Sequence, residues 1–389
     1  MNFKYYIPTK ILFGCGQLAN LHKEKLPGTR ALIVTTGSRS VVDNGYLART
    51  EEELKAAGCT FVLFNKITAN PDRSEVMDGA ALAKAENCDF IVGLGGGSPI
   101  DAAKAIAVMS TNPGDYWDYM VRGTGGGRPV SVTPLPVVAI TTTAGTGTEA
   151  DPWTVISNAA TGEKFGFGID GTFPVLAVVD PELMLTVPRD YTVFQGFDAL
   201  FHSLEGYLAN IATPISDIFA LKAVSLIAEN LPAAVFDGGD IAARENMALA
   251  NTLSGMVEST SGCISEHALE HILSGVYKNL PHGAGLIMLS VAYFSKIAEK
   301  HTSDDRLVEL AKALGNKNAK TPEDFIAALQ KLQQACGADK LKMSDYGIEK
   351  ERLREFAAAA KTQNALSFRL DPCDLSIADC AEIYERSYR

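Results

Sequence analysis

Three features that mark other classes of protein are missing from this sequence. No long run of lysine or arginine occurs in its 389 residues, and the formal net charge is −11. An acidic chain without basic runs is a poor match for nucleic acid or an anionic membrane, so neither is an expected partner. No stretch approaches roughly 18 consecutive apolar residues, and the first residues, MNFKYYIPTK, lack the apolar core of a signal peptide. We therefore expect a soluble, cytoplasmic protein.

Cysteine is present but follows no pattern. The seven cysteines are scattered, their number is odd, and no two are spaced as CxxC. A disulfide framework and a cysteine-rich zinc site are therefore not expected. Cys263 lies close before His267 and could be a metal ligand, but we favour its interpretation as a small buried hydrophobic residue.

Histidine is rarer still, and its distribution carries the strongest signal in the chain. Four of the six histidines fall within the stretch from Asp198 to His282. Asp198 and His202 are spaced i,i+4 in an apolar run that predicts a helix, and His267 and His271 repeat that spacing. Residues at i and i+4 share one face of a helix, so each pair could direct two side chains toward one ion.

One carboxylate and several imidazoles suit a borderline metal such as Zn²⁺ or Fe²⁺, because Ca²⁺ and Mg²⁺ prefer more oxygen ligands. The alternative is that these are ordinary core or surface histidines, since a single Asp–x3–His pair is weak evidence. Their clustering in a chain so poor in histidine makes a metal site an equally good interpretation.

The first half of the sequence alternates short apolar runs with helical segments. The runs are rich in β-branched residues, as in strands buried on both faces. They cover residues 30–36, 60–65, 89–95, 137–143 and 175–180. Intervening helical segments predict βαβ units and a parallel, Rossmann-like sheet. We also predict a hairpin that turns at Thr161–Gly162, and an edge hairpin near the N-terminus.

The second half changes character. After Asp180–Pro181 no strand is predicted, and Thr213–Pro214 is a predicted N-cap and first helical residue. We predict a dinucleotide-binding α/β domain in residues 1–184 and an all-helical, metal-binding domain in residues 185–389.

Two segments rich in small residues follow predicted strands. LGGGSPIDAAKAIA opens a predicted helix with Ser98 as its expected cap, and its glycines would let the backbone approach a pyrophosphate at the positive helix end. TTTAGTGTE could supply hydroxyls to the same ligand. A tight structural turn and a surface loop are equally good explanations of the two segments. The candidate residues are Gly96, Gly97, Ser98, Thr142, Thr143 and Thr146.

Together these motifs resemble those of the iron-containing, or group III, alcohol dehydrogenases, and particularly their butanol dehydrogenase and aldehyde reductase branch. PTKILFGCGQL, GGGSPIDAAKAIA, TTTAGTGTEA, GFDALFHSLEGYLA, HALEHILSG and PHGAGL occur in the family's order over most of the chain. The resemblance implies a dinucleotide-binding domain and a helical domain, with a metal in the cleft between them.

The resemblance also implies a role for individual residues. The implied metal ligands are Asp198, His202, His267 and His282. His271 corresponds to the unliganded histidine near nicotinamide and substrate, and is the implied catalytic residue. The cofactor's pyrophosphate is expected on Gly96, Gly97 and Ser98. Further cofactor-contacting positions are Thr142, Thr143, Thr146 and Lys164.

The implied activity is that of a metal-dependent NAD(P) alcohol dehydrogenase or aldehyde reductase. Hydride would pass between nicotinamide C4 and the carbinol carbon of a small alcohol or aldehyde. Iron is the expected metal, with zinc as the alternative, and a homo-oligomer is expected. Competing functions are a glycerol dehydrogenase, a dehydroquinate synthase-like lyase and a non-catalytic binding protein. The lyase would need more basic residues near the metal than Lys222, Arg244 and Lys278.

The choice between NAD and NADP is predicted from the end of an early strand, where an acidic side chain typically binds the ribose 2′-hydroxyl and repels a 2′-phosphate. Here ALIVTT leads into Gly37, Ser38 and Arg39, and no carboxylate appears before Asp43. In the resembling family Gly–Ser accompanies NADP, whereas Asp accompanies NAD. We predict NADP, with NAD as the alternative if Arg39 points to solvent.

Overall fold

The structure is a computed structural model that describes residues 2–389. The chain forms two compact units. One is Tyr6–Thr186, an α/β unit, and the other is Val187–Arg389 together with residues 2–5.

The α/β unit is built on a parallel sheet. Its strands are β1 Lys10–Phe13, β2 Arg30–Thr36, β3 Thr60–Ile67, β4 Phe90–Gly95, β5 Val137–Thr141, β6 Thr154–Asn158, β7 Glu163–Phe167 and β8 Leu176–Val179. Six of them form one sheet in the order β1-β8-β5-β4-β2-β3, with every pairing parallel. β6 and β7 pair antiparallel as the predicted hairpin, and Gly162 takes the left-handed conformation in its turn.

Both faces of the sheet are covered, which explains its nearly continuous apolar strands. Leu32 and Val34 of β2 pack on one face in a core that also holds residues of two helices, while Ala31 and Ile33 pack in a separate core on the other. This alternation follows from the two-residue period of a strand. The helices of this unit are α1 Ser40–Asp43, α2 Tyr46–Ala56, α3 Arg73–Ala85 and α4 Gly97–Thr111.

The predicted edge hairpin near the N-terminus is wrong. β1 instead pairs in parallel with β8 at the edge of the sheet. The buried carboxylate of Asp180, just beyond β8, accepts hydrogen bonds from the backbone N–H groups of Gly16 and Leu18 at 3.1 and 3.0 Å. These bonds hold the segment after β1 beside the end of β8, so the chain does not turn back on itself.

The second unit is helical, as predicted. Its helices are α5 Arg189–Leu208, α6 Pro214–Phe236, α7 Ile241–Ser261, α8 Ser265–Val276, α9 His282–Glu299, α10 Asp304–Ala313, α11 Pro322–Cys336, α12 Leu353–Gln363, α13 Ala365–Leu370 and α14 Ile377–Ser387. α6 begins where the sequence predicts, because the Thr213 side chain accepts from the backbone N–H of Ser216 and Pro214 occupies the first turn.

α5 is enclosed by its neighbours. A Cβ on Gly196 would lie 2.3 Å from the Leu231 side chain of α6, and one on Gly206 would lie 2.3 Å from the Val257 side chain of α7. The two glycines therefore permit close approach on both sides. As a result, the polar residues in the second half of α5 lie in the interior of the unit.

One helix, α6, is long and apolar enough to cross a membrane by length and composition alone. Core helices of globular proteins meet the same criterion, and α6 packs against α5 and α7. One such helix is by itself weak evidence of a membrane span.

Candidate metal centre and nucleotide turn

Four side chains predicted as metal ligands meet in the helical unit. α5 carries Asp198 and His202 one turn apart, α8 carries His267, and His282 is the first residue of α9. The Asp198 Oδ1 atom lies 3.7, 3.6 and 3.5 Å from the Nε2 atoms of His202, His267 and His282. Ligands about 2.1 Å from a tetrahedral ion lie about 3.4 Å from one another. The observed separations are close to that spacing and longer than ordinary hydrogen bonds.

The site also contains buried polar atoms that the protein does not satisfy. Asp198, His202 and His267 are each only 5% exposed. Asp198 Oδ1 and His267 Nε2 have no hydrogen-bond partner among the described residues. Unpaired buried polar atoms are costly and uncommon. A carboxylate oxygen and imidazole nitrogens that converge in this way fit a divalent cation.

The charge state of Asp198 suits a ligand. Burial by itself would raise the pKa of this carboxyl group, but the imidazoles of His202, His282 and His267 outweigh burial and hold the pKa below its usual range. Asp198 is therefore ionised at neutral pH, as a metal-binding carboxylate must be.

Two buried glutamates contact the Nδ1 atoms of His267 and His282, and neither was predicted from the sequence. Glu205 of α5 is hydrogen-bonded to Nδ1 of His267, and Glu270 of α8 is hydrogen-bonded to Nδ1 of His282. Both glutamates have no exposed surface. Each lies one turn after a predicted ligand on the same helix, and that spacing was the available signal.

His271 and Cys263 also lie beside the cluster. The His271 ring, half-buried on α8, has its centroid 5.3 Å from that of His282. One ligand atom each from Glu270, His271 and His282 lie within 4.8 Å of one another, as do those of His202, Cys263 and His267. Burial raises the pKa of the Cys263 thiol well above its usual value, so the neutral thiol is favoured. The Cys263 residue itself is half-buried, and its interpretation as a small hydrophobic residue stays a prediction.

The glycine-rich turn lies at the end of β4 in the α/β unit. α4 begins at Gly97 with Gly96 as its N-cap, and no side chain caps it. The prediction that Ser98 caps this helix is therefore wrong, because the helix already begins one residue before Ser98. The first backbone N–H groups are left without a capping side chain, as at helix ends that bind anions.

The threonine segment packs directly on this turn. A Cβ on Gly96 would lie 2.9 Å from Thr143 Oγ1, and one on Gly97 would lie 2.5 Å from Thr146 Cγ2. β4 and β5 are neighbours in the sheet, and the backbone N–H of Thr142 donates to the Gly95 carbonyl at 2.9 Å. The two segments singled out in the sequence thus form one small-residue surface.

A buried charge network lies behind this surface. The Lys104 ammonium group of α4 is fully buried and donates to Thr148 Oγ1 at 2.6 Å, Asp151 Oδ1 at 3.0 Å and the Trp153 carbonyl at 2.8 Å. Lys164 of β7 is 7% exposed and acts electrostatically on the nearby Asp101 carboxyl. The network ties α4 to the segment that follows β5.

The end of β2 carries the residues predicted to read the ribose. Gly37, Ser38 and Arg39 are all exposed. The Ser38 hydroxyl lies 2.7 Å from that of Thr36, and the Arg39 guanidinium lies 3.1 Å from the Asp43 carboxylate. Asp43, the first carboxylate after β2, is therefore the ion-pair partner of Arg39.

Comparison with known proteins identifies the family of this chain. Residues 8–181 match the family described as iron-containing alcohol dehydrogenase, and residues 192–388 match the C-terminal domain of the Fe-containing alcohol dehydrogenase family. The 1,3-propanediol dehydrogenase of Klebsiella pneumoniae is 33% identical over 376 residues, which are 94% of each chain. The NAD-dependent methanol dehydrogenase of Bacillus methanolicus is 34% identical and covers 92% of each chain.

Solved structures of alcohol dehydrogenases also resemble this chain over its whole length. An archaeal halo-thermophilic alcohol dehydrogenase from a Red Sea brine pool has a TM-score of 0.94 and 33% identity, covering 100% of this chain and 99% of that one. The NADH-dependent butanol dehydrogenase A of Thermotoga maritima has a TM-score of 0.89 and 27% identity over 100% and 99%.

Metal-dependent dehydrogenases of this kind combine a parallel, Rossmann-like sheet with a histidine-rich site in a helical unit, and this chain has both features. The chain belongs to the iron-containing alcohol dehydrogenase family. It is an oxidoreductase, an NAD(P)-dependent alcohol dehydrogenase of the iron type that acts on alcohols or aldehydes. The resemblance, the fold class and the enzyme class predicted from the sequence are confirmed.

Proposed function

We propose that Asp198, His202, His267 and His282 hold the catalytic metal of this alcohol dehydrogenase, with iron as the preferred ion and zinc as the alternative. The observation that carries the proposal is the convergence of three Nε2 atoms on one ionised carboxylate oxygen, at 3.5–3.7 Å. Bound there, a divalent cation would polarise the substrate oxygen as a Lewis acid.

We assign the proton-transfer role to His271. Its imidazole lies next to the ligand cluster, is half-buried, and occupies the same face of α8 as His267. A histidine in this position can exchange a proton between the substrate hydroxyl and solvent near neutral pH.

Residues 1–184 would bind the dinucleotide, and residues 185–389 would bind the metal. The uncapped start of α4, with Gly96, Gly97 and Ser98, would bind the pyrophosphate. The threonine residues packed on that turn and the buried Lys164 would add polar contacts; the threonines are Thr142, Thr143 and Thr146. The nicotinamide ring would accept or donate the hydride at C4.

We propose NADP as the preferred cofactor, with NAD as the alternative. The exposed Gly37 leaves room at the end of β2, and Ser38 offers a hydroxyl. Arg39 could pair with a 2′-phosphate. Its present partner, Asp43, is an exposed carboxylate that a phosphate would have to displace.

The substrate class we propose is a small alcohol or the corresponding aldehyde, in a cytoplasmic homo-oligomer. The relatives named above act, by their names, on propanediol, methanol and butanol. A polyol such as glycerol is the alternative. A lyase with an acidic phosphorylated substrate is less favoured, because Arg244 is buried and donates to Thr192 and to the carbonyl groups of Val187 and Gly238.

Removal of a ligand tests the metal site. We expect Asp198→Ala and His267→Ala to lose bound metal and turnover, measured by elemental analysis and by NAD(P)H absorbance with a panel of alcohols and aldehydes. Binding of NADPH, measured by fluorescence titration, should persist because the nucleotide turn belongs to the other unit. Asp190→Ala is the matched control, since Asp190 is exposed on the same helix. Full activity in a metal-stripped enzyme would refute the assignment.

A further inference from the structure

We infer that Glu205 and Glu270 are positioning residues of the metal centre, which set the tautomer and the direction of His267 and His282. This inference rests on the proposed metal site. A neutral imidazole carries one proton, and it can bind a metal only through the other nitrogen. The position of that proton is therefore decided by what lies opposite the non-binding nitrogen.

The contacts of the two glutamates place the ring proton of both histidines on Nδ1. The Glu205 carboxylate accepts from Nδ1 of His267, and its second oxygen accepts from the His267 backbone N–H at 3.4 Å. The Glu270 carboxylate accepts from Nδ1 of His282 and from the Ser274 hydroxyl, the latter at 3.3 Å. In both histidines the lone pair is left on Nε2, which faces Asp198 Oδ1.

Each of the two glutamates lies on a different helix from the histidine that it contacts. Glu205 lies on α5, on the same face as Asp198, and orients a histidine of α8. Glu270 lies on α8, one turn after His267, and orients a histidine at the start of α9. α5 thus orients a ligand on α8, and α8 orients a ligand on α9, so the geometry of the site depends on how these three helices pack.

A glycine of α9 provides independent evidence that the Glu270 position is specified. A Cβ on Gly285 would lie 2.7 Å from Glu270 Cγ and 2.8 Å from Glu270 Oε1. No side chain fits there unless the carboxylate moves. Gly285→Ala therefore offers a way to displace the Glu270 carboxylate without removing it.

The competing explanation is that these glutamates only stabilise the fold by pairing with buried histidines. If the glutamates position the histidines, their replacement should weaken metal binding even where the apoprotein remains as stable as wild type. If they only stabilise the fold, metal affinity should fall only as far as apoprotein stability falls. Glutamine keeps an acceptor oxygen for Nδ1–H but loses the charge, whereas alanine loses both. For both Glu205 and Glu270 we expect metal affinity to fall by about tenfold in the Gln variant and about 100-fold in the Ala variant, the usual scale for such outer residues.

The experiment measures Co²⁺ and Zn²⁺ affinity of the wild-type apoprotein and of Glu205→Gln, Glu205→Ala, Glu270→Gln, Glu270→Ala and Gly285→Ala, by competition with a chelator. Apoprotein melting temperatures and the visible spectrum of the Co²⁺ form are recorded for each. We expect weaker binding and an altered Co²⁺ spectrum in all five variants, with apoprotein melting of the Gln variants near wild type. Glu309→Gln is the control, because Glu309 accepts from the Tyr207 hydroxyl of α5 and not from an imidazole.

The outcomes separate this inference from the proposed function. Wild-type affinity and an unchanged Co²⁺ spectrum in both Gln variants would overturn the positioning role alone. Loss of affinity only in proportion to lost apoprotein stability would also overturn it, in favour of a structural role. A wild-type protein that binds neither metal would overturn both the inference and the proposed metal site.

Discussion

At the scale of single residues, the proposed metal centre converges on one carboxylate oxygen. Asp198 Oδ1 is the atom that three imidazoles approach, and it has no hydrogen-bond partner in the described chain. His271 lies beside this group but is not required to complete a four-ligand set. The distinction between a ligand and a neighbour can be tested residue by residue.

Replacement of His271 by alanine should reduce catalysis without removing metal. If His271 transfers the proton, we expect kcat to fall by roughly 10²–10⁴-fold, the usual range for a general acid or base. Metal content, measured by elemental analysis, should stay near wild type. His301→Asn is the control, because His301 is exposed and asparagine tolerates its left-handed backbone. Loss of metal from His271→Ala would instead make His271 a ligand.

Replacement of Gly37 by aspartate should change cofactor preference. We expect wild type to favour NADPH and Gly37→Asp to shift toward NADH, because a carboxylate there repels a 2′-phosphate and binds a 2′-hydroxyl. A Cβ at Gly37 would lie 3.3 Å from the Asn65 carbonyl oxygen, so the side chain needs only a small adjustment. The measurement is kcat/KM for both cofactors. Gly37→Asn is the isosteric, uncharged control, and a tenfold wild-type preference for NADH would contradict the prediction.

At the scale of secondary-structure elements, the glycine-rich turn at the start of α4 is tied to its surroundings by a buried lysine. Lys104 joins α4 to the segment after β5 through Thr148, Asp151 and Trp153. The start of α4 and the threonine segment are therefore positioned by the same side chain. The turn's geometry is a property of this junction and not of the glycines alone.

Lys104→Met should destabilise the protein strongly. Removal of the ammonium group leaves the buried Asp151 carboxylate without its partner, and breaking a buried ion pair costs about 3–5 kcal/mol. The measurement is the free energy of unfolding from urea denaturation. Lys84→Met is the control, because Lys84 is exposed on α3. A loss below about 1 kcal/mol, the scale of an exposed pair, would show that Lys104 is not needed to stabilise α4.

At the scale of the whole molecule, stability should depend on pH through a buried carboxyl group of the helical unit. Burial raises the pKa of Asp371 to about 7, although Ser265 and Tyr293 donate to it and oppose the effect. The folded state therefore holds a proton that the unfolded state releases at a lower pH. The free energy of unfolding therefore falls as pH rises from the pKa of Asp371 in the unfolded state to its higher pKa in the folded state.

Between pH 4 and pH 8 we expect Asp371 alone to lower the free energy of unfolding by a few kcal/mol, since each unit of pKa difference is worth about 1.4 kcal/mol. Asp371→Asn should remove the part of the dependence that Asp371 contributes, because the amide oxygen can still accept from Ser265 and carries no charge; burial also raises the pKa of Asp151 to about 7, and that contribution should remain. Urea denaturation of the two apoproteins across this pH range is the measurement. Equal slopes in wild type and Asp371→Asn would contradict the assignment.

The sequence by itself determined the features whose signals are local. The i,i+4 spacing of Asp198 and His202 needs only one helix, and β-branched runs alternating with helices are enough to predict a parallel sheet. Thr213–Pro214 gave the start of α6 for the same reason, since a cap is made by neighbours in the chain.

Only the tertiary structure decided the features that join distant residues. Glu205 meets His267 across 62 positions in the chain, and Asp180 meets Gly16 across 164. No periodicity links such pairs, because their contact depends on how helices and strands pack and not on local dihedral angles. The sequence therefore predicted the four side chains that meet in the helical unit, whereas the carboxylates hydrogen-bonded to two of them became evident only when α5, α8 and α9 were placed together.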